Sequence, residues 1–351
     1  MRYPLPNGRI LTAPSTFTTK TAAGRFLTTV EADLLRGITP AEPAPPVPLQ
    51  EWAARHVLAQ RHRLTPKTYA LYDSLLRSCV NSVLGDLQLT TITKMTVREW
   101  VANLSARPLS PSRVRQALGL LSQVLDAAID EGLLTANPCR GVRGPRLPQT
   151  EPRILRPEDV AQLRSLMRPP YGLLVDLLAY GGLRIGETFA LRRRSVDVVG
   201  RRLVITESLS ETAGRHSFGP TKTHQARAVA LPDFLCAALT EHLDSHLAAA
   251  ADALLFTGRT GKPHHYNAFR RSIWDPAATA AGLDGVTPHA LRATCATWVA
   301  DSAGVLEAAR RLGHARTSVT TRHYARPVQG RDRDVADQLD ALRRRQQNGS
   351  R

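Results

Sequence analysis

Residues 312–327, LGHARTSVTTRHYARP, gather two histidines, three arginines and one tyrosine. A tyrosine with its ordinary pKa of about 10 is a poor nucleophile at neutral pH. Tyr324 could therefore attack a substrate only if cations and a base surround it. Taken alone, the stretch suits a solvated basic loop equally well, so the chemistry depends on what the rest of the chain supplies.

Two earlier stretches carry candidate partners for this tyrosine. In YGGLRIGETFAL, Arg184 follows a Gly-Gly pair that interrupts a helix, where a side chain can face a ligand, and Glu187 lies one turn on. In GPTKTHQARAVALP, Lys222 is one of only five lysines and is predicted at a hairpin tip. A salt-bridged arginine and an exposed loop lysine are the alternatives for each residue taken alone.

A third stretch, TPHALRATCATW, places a histidine and an arginine on one helix. Thr287-Pro288 predicts the start of that helix, and His289 and Arg292, three residues apart, would share a face. A helix N-terminus that presents His and Arg together is a fair site for a phosphate. Each of these motifs is weak by itself.

The composition favours a polyanionic partner. The formal net charge is +17, from 47 Lys and Arg against 30 Asp and Glu. The excess is spread along the chain, as expected of a protein that grips nucleic acid from two sides. The arginine-rich bias, with so few lysines, also reflects the genome that encodes the chain, so charge alone is a moderate argument.

Cysteine usage and hydropathy predict the compartment. The cysteines lie far apart without a Cys-x-x-Cys pair, which argues against a zinc ribbon and a disulfide scaffold and favours a reducing cytoplasm. The N-terminus MRYPLPNGRI has no apolar signal core, and no run reaches the roughly 18 apolar residues of a membrane span. We therefore expect a cytoplasmic protein without a membrane segment.

The pattern along the chain predicts a mainly α fold with small β elements, divided by two Pro-rich linkers. Asn7-Gly8 predicts a hairpin and is followed by an amphipathic helix that ends near Gly37. Residues 201–210 and 226–232 read as strands joined through GPTKTHQ, and residues 332–346 as an amphipathic terminal helix. The predicted divisions are a small module at 1–37, a linker at 38–48, a helical domain at 49–137, a linker at 138–153 and a mixed α/β domain at 154–351.

Capping signals predict where several of these helices begin. Thr65-Pro66 and Ser110-Pro111 each place a capping hydroxyl before a proline at the first helical position. Pro157 predicts another helix start, and Thr96 with Glu99 predicts a capping box.

The order of the chemical motifs resembles the active-site series of the tyrosine recombinases, the phage-integrase family. GGLRIGETFALRRRSVD resembles the first box of that family, PTKTHQARAVALP its lysine hairpin, and TPHALRATCATWVADSAGVLEAARRLGHARTSVTTRHYARP its second box. The likeness spans nearly the whole chain. It implies a reduced arm-type DNA-binding module at 1–37, a SAM-like core-binding domain at 49–137, and a tyrosine-recombinase catalytic domain with a C-terminal helix at 154–351.

The resemblance implies a role for each matched residue. Tyr324 would attack a DNA phosphodiester and leave a 3′-phosphotyrosine, while Lys222 protonates the leaving 5′ oxygen. Arg184 and Arg292 would hold the non-bridging oxygens, because a planar guanidinium fork suits a phosphate. His289 would be the base or proton shuttle, His314 would bond the phosphate, and Glu187 would orient these groups. The implied catalytic set is Arg184, Lys222, His289, Arg292, His314 and Tyr324.

Other charged residues receive secondary assignments. His323 is expected to be a contact or solvent-facing neighbour of the tyrosine. His264 and His265 are expected to be loop residues, because the sequence offers no third metal ligand at a helpful spacing. No metal ion or other cofactor is expected, since the resembling site already supplies its cations, and no ATP, since the phosphotyrosine conserves the bond energy. The residues assigned to DNA contact are Arg113, Arg115, Arg143, Arg316 and Arg322.

The function implied by the resemblance is site-specific DNA recombination by a phage or mobile-element integrase. Its partners would be double-stranded DNA with core and arm sites, and three further copies in a tetramer that passes through a Holliday junction. The sequence leaves open whether a DNA-bending or directionality factor takes part. It also leaves three alternatives: a type IB topoisomerase, a non-catalytic DNA-binding regulator of the same fold, and, more distantly, a Ser or Cys hydrolase without a nucleophile-elbow motif.

Overall fold

The computed structural model describes most of the chain, and it divides into two compact units at residues 149 and 150. The described residues are 2–4, 8, 10–13, 17, 19–36, 46–148, 153–212, 214–221, 226–245, 247–258 and 260–313. Among the described helices, none combines the length and apolar composition that a membrane span requires. All four cysteines are buried free thiols.

The first unit begins with a small β-hairpin and a helix. Strands β1 (Arg2–Pro4) and β2 (Ile10–Thr12) pair antiparallel, and Gly8 between them has a φ of +79°. Helix α1 (Lys20–Leu35) packs Val30 against this hairpin. The predicted hairpin and helix of the N-terminal module are thus present.

The rest of the first unit is helical. Its helices are α2 (Leu49–Ala59), α3 (Pro66–Leu75), α4 (Asn81–Leu84), α5 (Lys94–Ala106) and α6 (Pro111–Asp130). A π-helical turn, Leu76–Val80, joins α3 to α4. The core is apolar, and the indoles of Trp52 and Trp100 within it donate to backbone carbonyls at 2.8 Å. Buried tryptophans with satisfied N–H groups stabilise such a small core.

The helix starts in this unit follow the capping signals with one exception. Thr65 and Ser110 accept hydrogen bonds from the amides of Thr68 and Arg113, as their place before a proline predicts. The predicted capping box of Thr96 with Glu99 is wrong. Helix α5 begins one turn earlier, because Thr93 caps the Thr96 amide at 3.2 Å and the Thr96 hydroxyl accepts from the Thr93 amide at 3.4 Å.

The second unit mixes helices with small sheets. Its helices are α7 (Pro157–Leu166), α8 (Tyr171–Ala179), α9 (Ile185–Ala190), α10 (Asp233–Ser245), α11 (Tyr266–Phe269), α12 (Asp275–Ala280), α13 (Pro288–Ala303) and α14 (Val305–Leu312). Its strands are β3 (Val196–Asp197), β4 (Arg202–Ile205), β5 (Glu207–Thr212), β6 (Arg215–Pro220) and β7 (Arg227–Ala230). Helix α8 is buried at every residue except Gly172 and packs against α7 and α13, so it is central to this unit.

The strands form two small antiparallel sheets, β3-β4-β7 and β5-β6. The two predicted strand runs do pair, as β4 with β7, but an extra hairpin, β5-β6, lies between them and was not predicted. Strand β6 escaped prediction because its sequence, RHSFGP, is mostly solvent-exposed and contains Gly and Pro. The mainly α fold class with small β elements is confirmed.

Candidate active site

A glycine pair breaks the chain between α8 and α9 and brings Arg184 to the surface of the core. Gly182 has a φ of +67°, and a Cβ there would lie 3.0 Å from both Cys295 Sγ and Leu312 Cδ2. Only glycine meets both demands without strain. The break therefore seats the first box directly against α13 and α14.

Glu187 is the centre of the site. Its side chain is completely buried, and Arg184, at the N-cap of α9, donates two hydrogen bonds to its carboxylate. The Arg184 amide donates to Oε2 at 2.9 Å and the Arg184 Nη1 donates to Oε1 at 2.8 Å. The side chain of Arg184 remains a quarter exposed, so Glu187 fixes a cation that a ligand can still reach.

A second arginine, Arg227 at the start of β7, forms a bidentate pair with the same carboxylate. Its Nη1 lies 2.9 Å from Oε1 and its Nη2 lies 2.6 Å from Oε2 of Glu187. The Nε of Arg227 is buried and has no hydrogen-bond partner in the described part of the chain. A Cβ on Gly313 would lie 2.8 Å from Arg227 Cδ, so the backbone at the end of α14 passes tightly over this side chain.

The third arginine, Arg292 on α13, is almost fully buried. Its Nη1 donates to the carbonyl of Gly182 and its Nη2 donates to the carbonyl of Leu312 at 2.7 Å. The same Nη1 lies 4.0 Å from Glu187 Oε2. Arg292 therefore ties the glycine break of the first box to the end of α14, where residues 314–327 follow.

The charges explain the ionisation of Glu187. Burial alone would raise the pKa of this carboxyl, but the hydrogen bonds and charge of Arg227, the Arg184 amide and the charge of Arg292 outweigh burial and lower the pKa to about 2. Three guanidinium groups thus share one carboxylate. The cluster keeps a net charge of about +2, taking one unit for each ion, and an anion at the exposed side of Arg184 would complete it.

The structure brings three of the seven predicted catalytic or supporting residues into one cluster. Arg184, Glu187 and Arg292 form the cluster, whereas His289 is exposed in the first turn of α13 while Arg292 one turn on is buried. Both residues lie on α13 three positions apart, as predicted, and they differ in exposure. Three predicted catalytic residues, Lys222, His314 and Tyr324, lie outside the described residues, as do Arg316, Arg322 and His323.

Among the arginines assigned to DNA contact in the first unit, exposure differs. Arg113 is engaged, since its Nη2 donates to the hydroxyls of Ser74 and Ser78 at 3.0 Å each. Arg115 and Arg143 are exposed. Arg115 and Arg143 therefore have the accessibility that a contact with the DNA backbone requires.

Sequence reasoning missed Arg227. The signal was present: in ARAVALP, Arg227 falls in step with the buried Val229, on the inward face of the strand. An arginine on a buried face needs an anionic partner. Its partner is forty residues away in the chain, so the pairing could not be read from local spacing.

The two adjacent histidines, expected to be loop residues without further ligands, have different environments. His264 is buried, its Nε2 lies 3.2 Å from the Tyr171 hydroxyl, and burial lowers its pKa to about 4. His265 is at the surface and lies beside Glu211 and His216. Both residues lie in a loop, as predicted. The expectation that no further ligand lies near them was wrong for His265, because β6, which carries His216, was not foreseen.

Comparisons with protein families and known proteins agree on one family. A model of the phage integrase family matches residues 153–331, and a model of the phage integrase N-terminal SAM-like domain matches residues 49–105. The chain is 29% identical over 362 aligned positions to the putative prophage phiRv2 integrase of Mycobacterium tuberculosis, covering 98% of this chain and 93% of that protein. It is 28% identical to the integrase of Mycobacterium phage D29, covering 78% and 74%, and 27% identical to the tyrosine recombinase XerC of Pelobacter propionicus, covering 77% and 88%.

Solved structures share the fold. The Tn1549 transposon integrase in complex with transposon right end DNA superposes with a TM-score of 0.73 at 17% identity, covering 84% of this chain and 100% of that one. A lambda integrase dimer bound to a COC′ core site gives a TM-score of 0.63 at 16% identity, covering 92% and 91%.

The family model spans just over half of the chain, including the buried arginine–glutamate cluster. The regulator and hydrolase alternatives find no support among these relatives, which are integrases and recombinases. The chain belongs to the phage integrase family and is a tyrosine-type site-specific DNA recombinase.

Proposed function

We propose that this recombinase is the integrase of a phage or other mobile element, and that it cleaves and rejoins double-stranded DNA through a 3′-phosphotyrosine at Tyr324. The cluster of Arg184, Arg227 and Arg292 around Glu187 is the observation that carries this proposal. A buried site with surplus positive charge stabilises a phosphate whose negative charge grows during transfer. The same cluster would have little reason to exist in a protein that only binds its partner.

In the proposed reaction each phosphoester bond that breaks is replaced by another. The Tyr324 hydroxyl attacks the scissile phosphorus, its proton passes to His289, and the bond from phosphorus to the 5′ oxygen breaks. Lys222 gives a proton to that oxygen, and His314 donates a hydrogen bond to the phosphate. In the return step a 5′ hydroxyl displaces Tyr324, so no external energy source is consumed.

The described residues would prepare the phosphate site. The partly exposed side chain of Arg184 would contact the phosphate, and its hydrogen bond from Nη1 to Glu187 Oε1, at 2.8 Å, fixes its position. Arg292 holds the Leu312 carbonyl, at the end of α14, against the first box, and residues 314–327 come next in the sequence. We add Arg227 as a positioning residue, because it donates to both carboxylate oxygens of Glu187 and lies against Gly313.

The larger assembly is also part of the proposal. Four copies would exchange strands through a Holliday junction, held by core sites, with arm sites contacted by residues 1–37. The amphipathic segment 332–346 would dock on a neighbouring copy, and its deletion should abolish tetramers on DNA. Free thiols and a DNA substrate suit a cytoplasmic location.

A plasmid assay tests the function. DNA flanking the gene is cloned as pairs of candidate sites, and recombinant junctions are amplified after incubation with the full chain. We expect recombinants with the wild type and none with Tyr324→Phe. Relaxed plasmid without recombinants would favour a type IB topoisomerase and contradict the proposal.

The positioning role of Arg227 needs a matched control. Arg202 also lies in the β3-β4-β7 sheet and pairs with an acid, Asp197, at 2.8 Å, but its side chain is 57% exposed. We expect Arg227→Gln to slow strand cleavage by about 100-fold, since a misplacement of about 1 Å in a site can cost that much. Arg202→Gln should stay near the wild-type rate, and equal rates for the two variants would remove Arg227 from the account.

A further inference from the structure

Three potential metal ligands, none of them a member of the arginine cluster, meet at the β5-β6 hairpin. Glu211 of β5 and His216 of β6 are direct cross-strand partners. His265, the residue before α11, lies against them, with its Nδ1 3.1 Å from Glu211 Oε1. Ligand atoms of all three side chains lie within 4.8 Å of one another.

Among the ligand atoms of this group, one carboxylate is already oriented and one ring nitrogen has no hydrogen-bond partner among the described residues. The Tyr266 amide donates to Glu211 Oε2 at 3.2 Å, which orients the carboxylate and leaves Oε1 towards His265. The rings of His216 and His265 lie 4.1 Å apart, tilted by 33°. The Nε2 of His216 is buried and has no hydrogen-bond partner among the described residues. A buried, unsatisfied ring nitrogen is costly unless something binds there.

A simple ion pair between Glu211 and His265 does not account for His216. Two protonated imidazoles side by side would repel each other, and two neutral ones each leave one ring nitrogen that needs a hydrogen-bond donor or a metal ion. A divalent cation resolves both difficulties, because it binds neutral imidazole nitrogens and a carboxylate oxygen together.

We propose that Glu211, His216 and His265 bind one divalent transition-metal ion of the Zn²⁺ class. Two imidazoles and a carboxylate are ligands that zinc accepts in a tetrahedral site, with water in the fourth position. Zinc–nitrogen bonds of about 2.0–2.1 Å place tetrahedral ligand atoms about 3.3 Å apart. Side-chain rotation closes the present separations to that distance, and one of the three residues, His265, is nearly half exposed and able to move.

The ion would brace the hairpin rather than take part in strand cleavage. Strand β5 packs on α9 at Gly186, where a Cβ would lie 2.7 Å from the Leu209 carbonyl. Strand β6 leads through Thr221 into the segment that carries Lys222. A metal that links His216 to His265 therefore clamps this hairpin to the start of α11. The inference does not depend on the proposed recombination reaction.

The test measures metal binding by the full chain. Protein stripped with chelator and dialysed is titrated with Zn²⁺ against a chromophoric chelator, and with Co²⁺ to record the visible absorption of a tetrahedral site. We expect one equivalent bound, the tetrahedral Co²⁺ spectrum, and a higher unfolding temperature with metal.

Variants locate the site. His265→Gln and Glu211→Gln should each weaken binding by at least about tenfold and remove the Co²⁺ absorption, since even a group that only supports a ligand is worth 10- to 100-fold in affinity. His62→Gln changes an exposed histidine in the first unit and should leave both unchanged. Because His265 is exposed, its variant should fold, and a circular dichroism spectrum identical to that of the wild type would show this.

Two results would overturn the inference. One is the absence of saturable Zn²⁺ binding by the wild type. The other is equal stoichiometry and affinity in the wild type and in His265→Gln, which would place the metal at other histidines. Recombination activity is not the readout, so failure of this site and failure of the proposed function remain distinguishable.

Discussion

Replacing Glu187 by glutamine should destabilise the C-terminal unit by an amount that the ion cluster sets. The pKa of Glu187 is lowered from 4.5 to about 2, despite the burial that opposes ionisation, by Arg227, the Arg184 amide and Arg292. At 1.36 kcal/mol per unit, a shift of about 2.5 units contributes about 3.4 kcal/mol of stability at pH 7. This agrees with the 3–5 kcal/mol that breaking one side of a buried ion pair typically costs.

The pH dependence has a definite sign. Because the folded pKa is depressed, the contribution of Glu187 is fully present above pH 4.5 and is lost as pH falls towards about 2. At pH 3.5 the wild type should retain about 2 kcal/mol of it. The gap in unfolding free energy between wild type and Glu187→Gln should therefore narrow by about 1.4 kcal/mol between pH 7 and pH 3.5.

Differential scanning calorimetry and urea unfolding of the full chain measure this gap. For a unit of about 200 residues, 3.4 kcal/mol corresponds to a drop of about 7–14 °C in the transition of the C-terminal unit. The control is Glu307→Gln, which breaks a surface pair with Arg310 at 2.9 Å and should cost less than about 1 kcal/mol. A loss below about 1 kcal/mol for Glu187→Gln, or a gap that does not change with pH, would refute the reasoning.

Three further predictions concern the surroundings of the site. Gly182→Ala should destabilise the protein by about 2 kcal/mol or more, because the φ of +67° and two contacts at 3.0 Å both oppose a Cβ. Gly214→Ala is the control: its φ of +74° is similar but its surroundings are open, so it should cost only about 1 kcal/mol. Equal urea midpoints for the two variants would contradict the close packing at Gly182. Burial lowers the pKa of His264 to about 4, so its neutral ring contributes fully to stability above pH 6.5, and that contribution declines as pH falls towards 4. In His264→Gln the loss of unfolding free energy between pH 6.5 and pH 4 should be smaller than in the wild type by up to about 3 kcal/mol. An unchanged dependence of stability on pH in the variant would contradict this. Trp274→Phe removes the 2.8 Å hydrogen bond to the Val286 carbonyl and should cost about 1–3 kcal/mol in urea unfolding, and a wild-type midpoint would count against it.

The sequence predicts well those features that depend on neighbouring residues. Helices that begin at a capping hydroxyl before proline, such as those at Pro66 and Pro111, start where the sequence places them, because the cap and the fixed φ of proline act locally. The displaced cap at Thr93 shows the limit. Two threonines three residues apart form a reciprocal pair that competes with the Thr96 and Glu99 pattern.

Features that depend on distant residues were harder to foresee. The pairing of β4 with β7 was predicted from two strand-like runs, but the hairpin β5-β6 between them was not, because its second strand lacks a strand-like sequence. In the site, Arg184 and Glu187 are neighbours on one helix turn and were predicted together. Arg227 reaches the same carboxylate from another element, so its role emerged only in three dimensions.

The most direct test of the central claim is the covalent intermediate. Purified full chain is mixed in EDTA with nicked duplexes tiled across the DNA that flanks its gene, and the products are run on a denaturing gel beside Tyr324→Phe. We predict a protein–DNA adduct with the wild type alone, with the 3′-phosphate on Tyr324 by peptide mass. Sequence-specific binding without any adduct, or an equal adduct with Tyr324→Phe, would contradict the account.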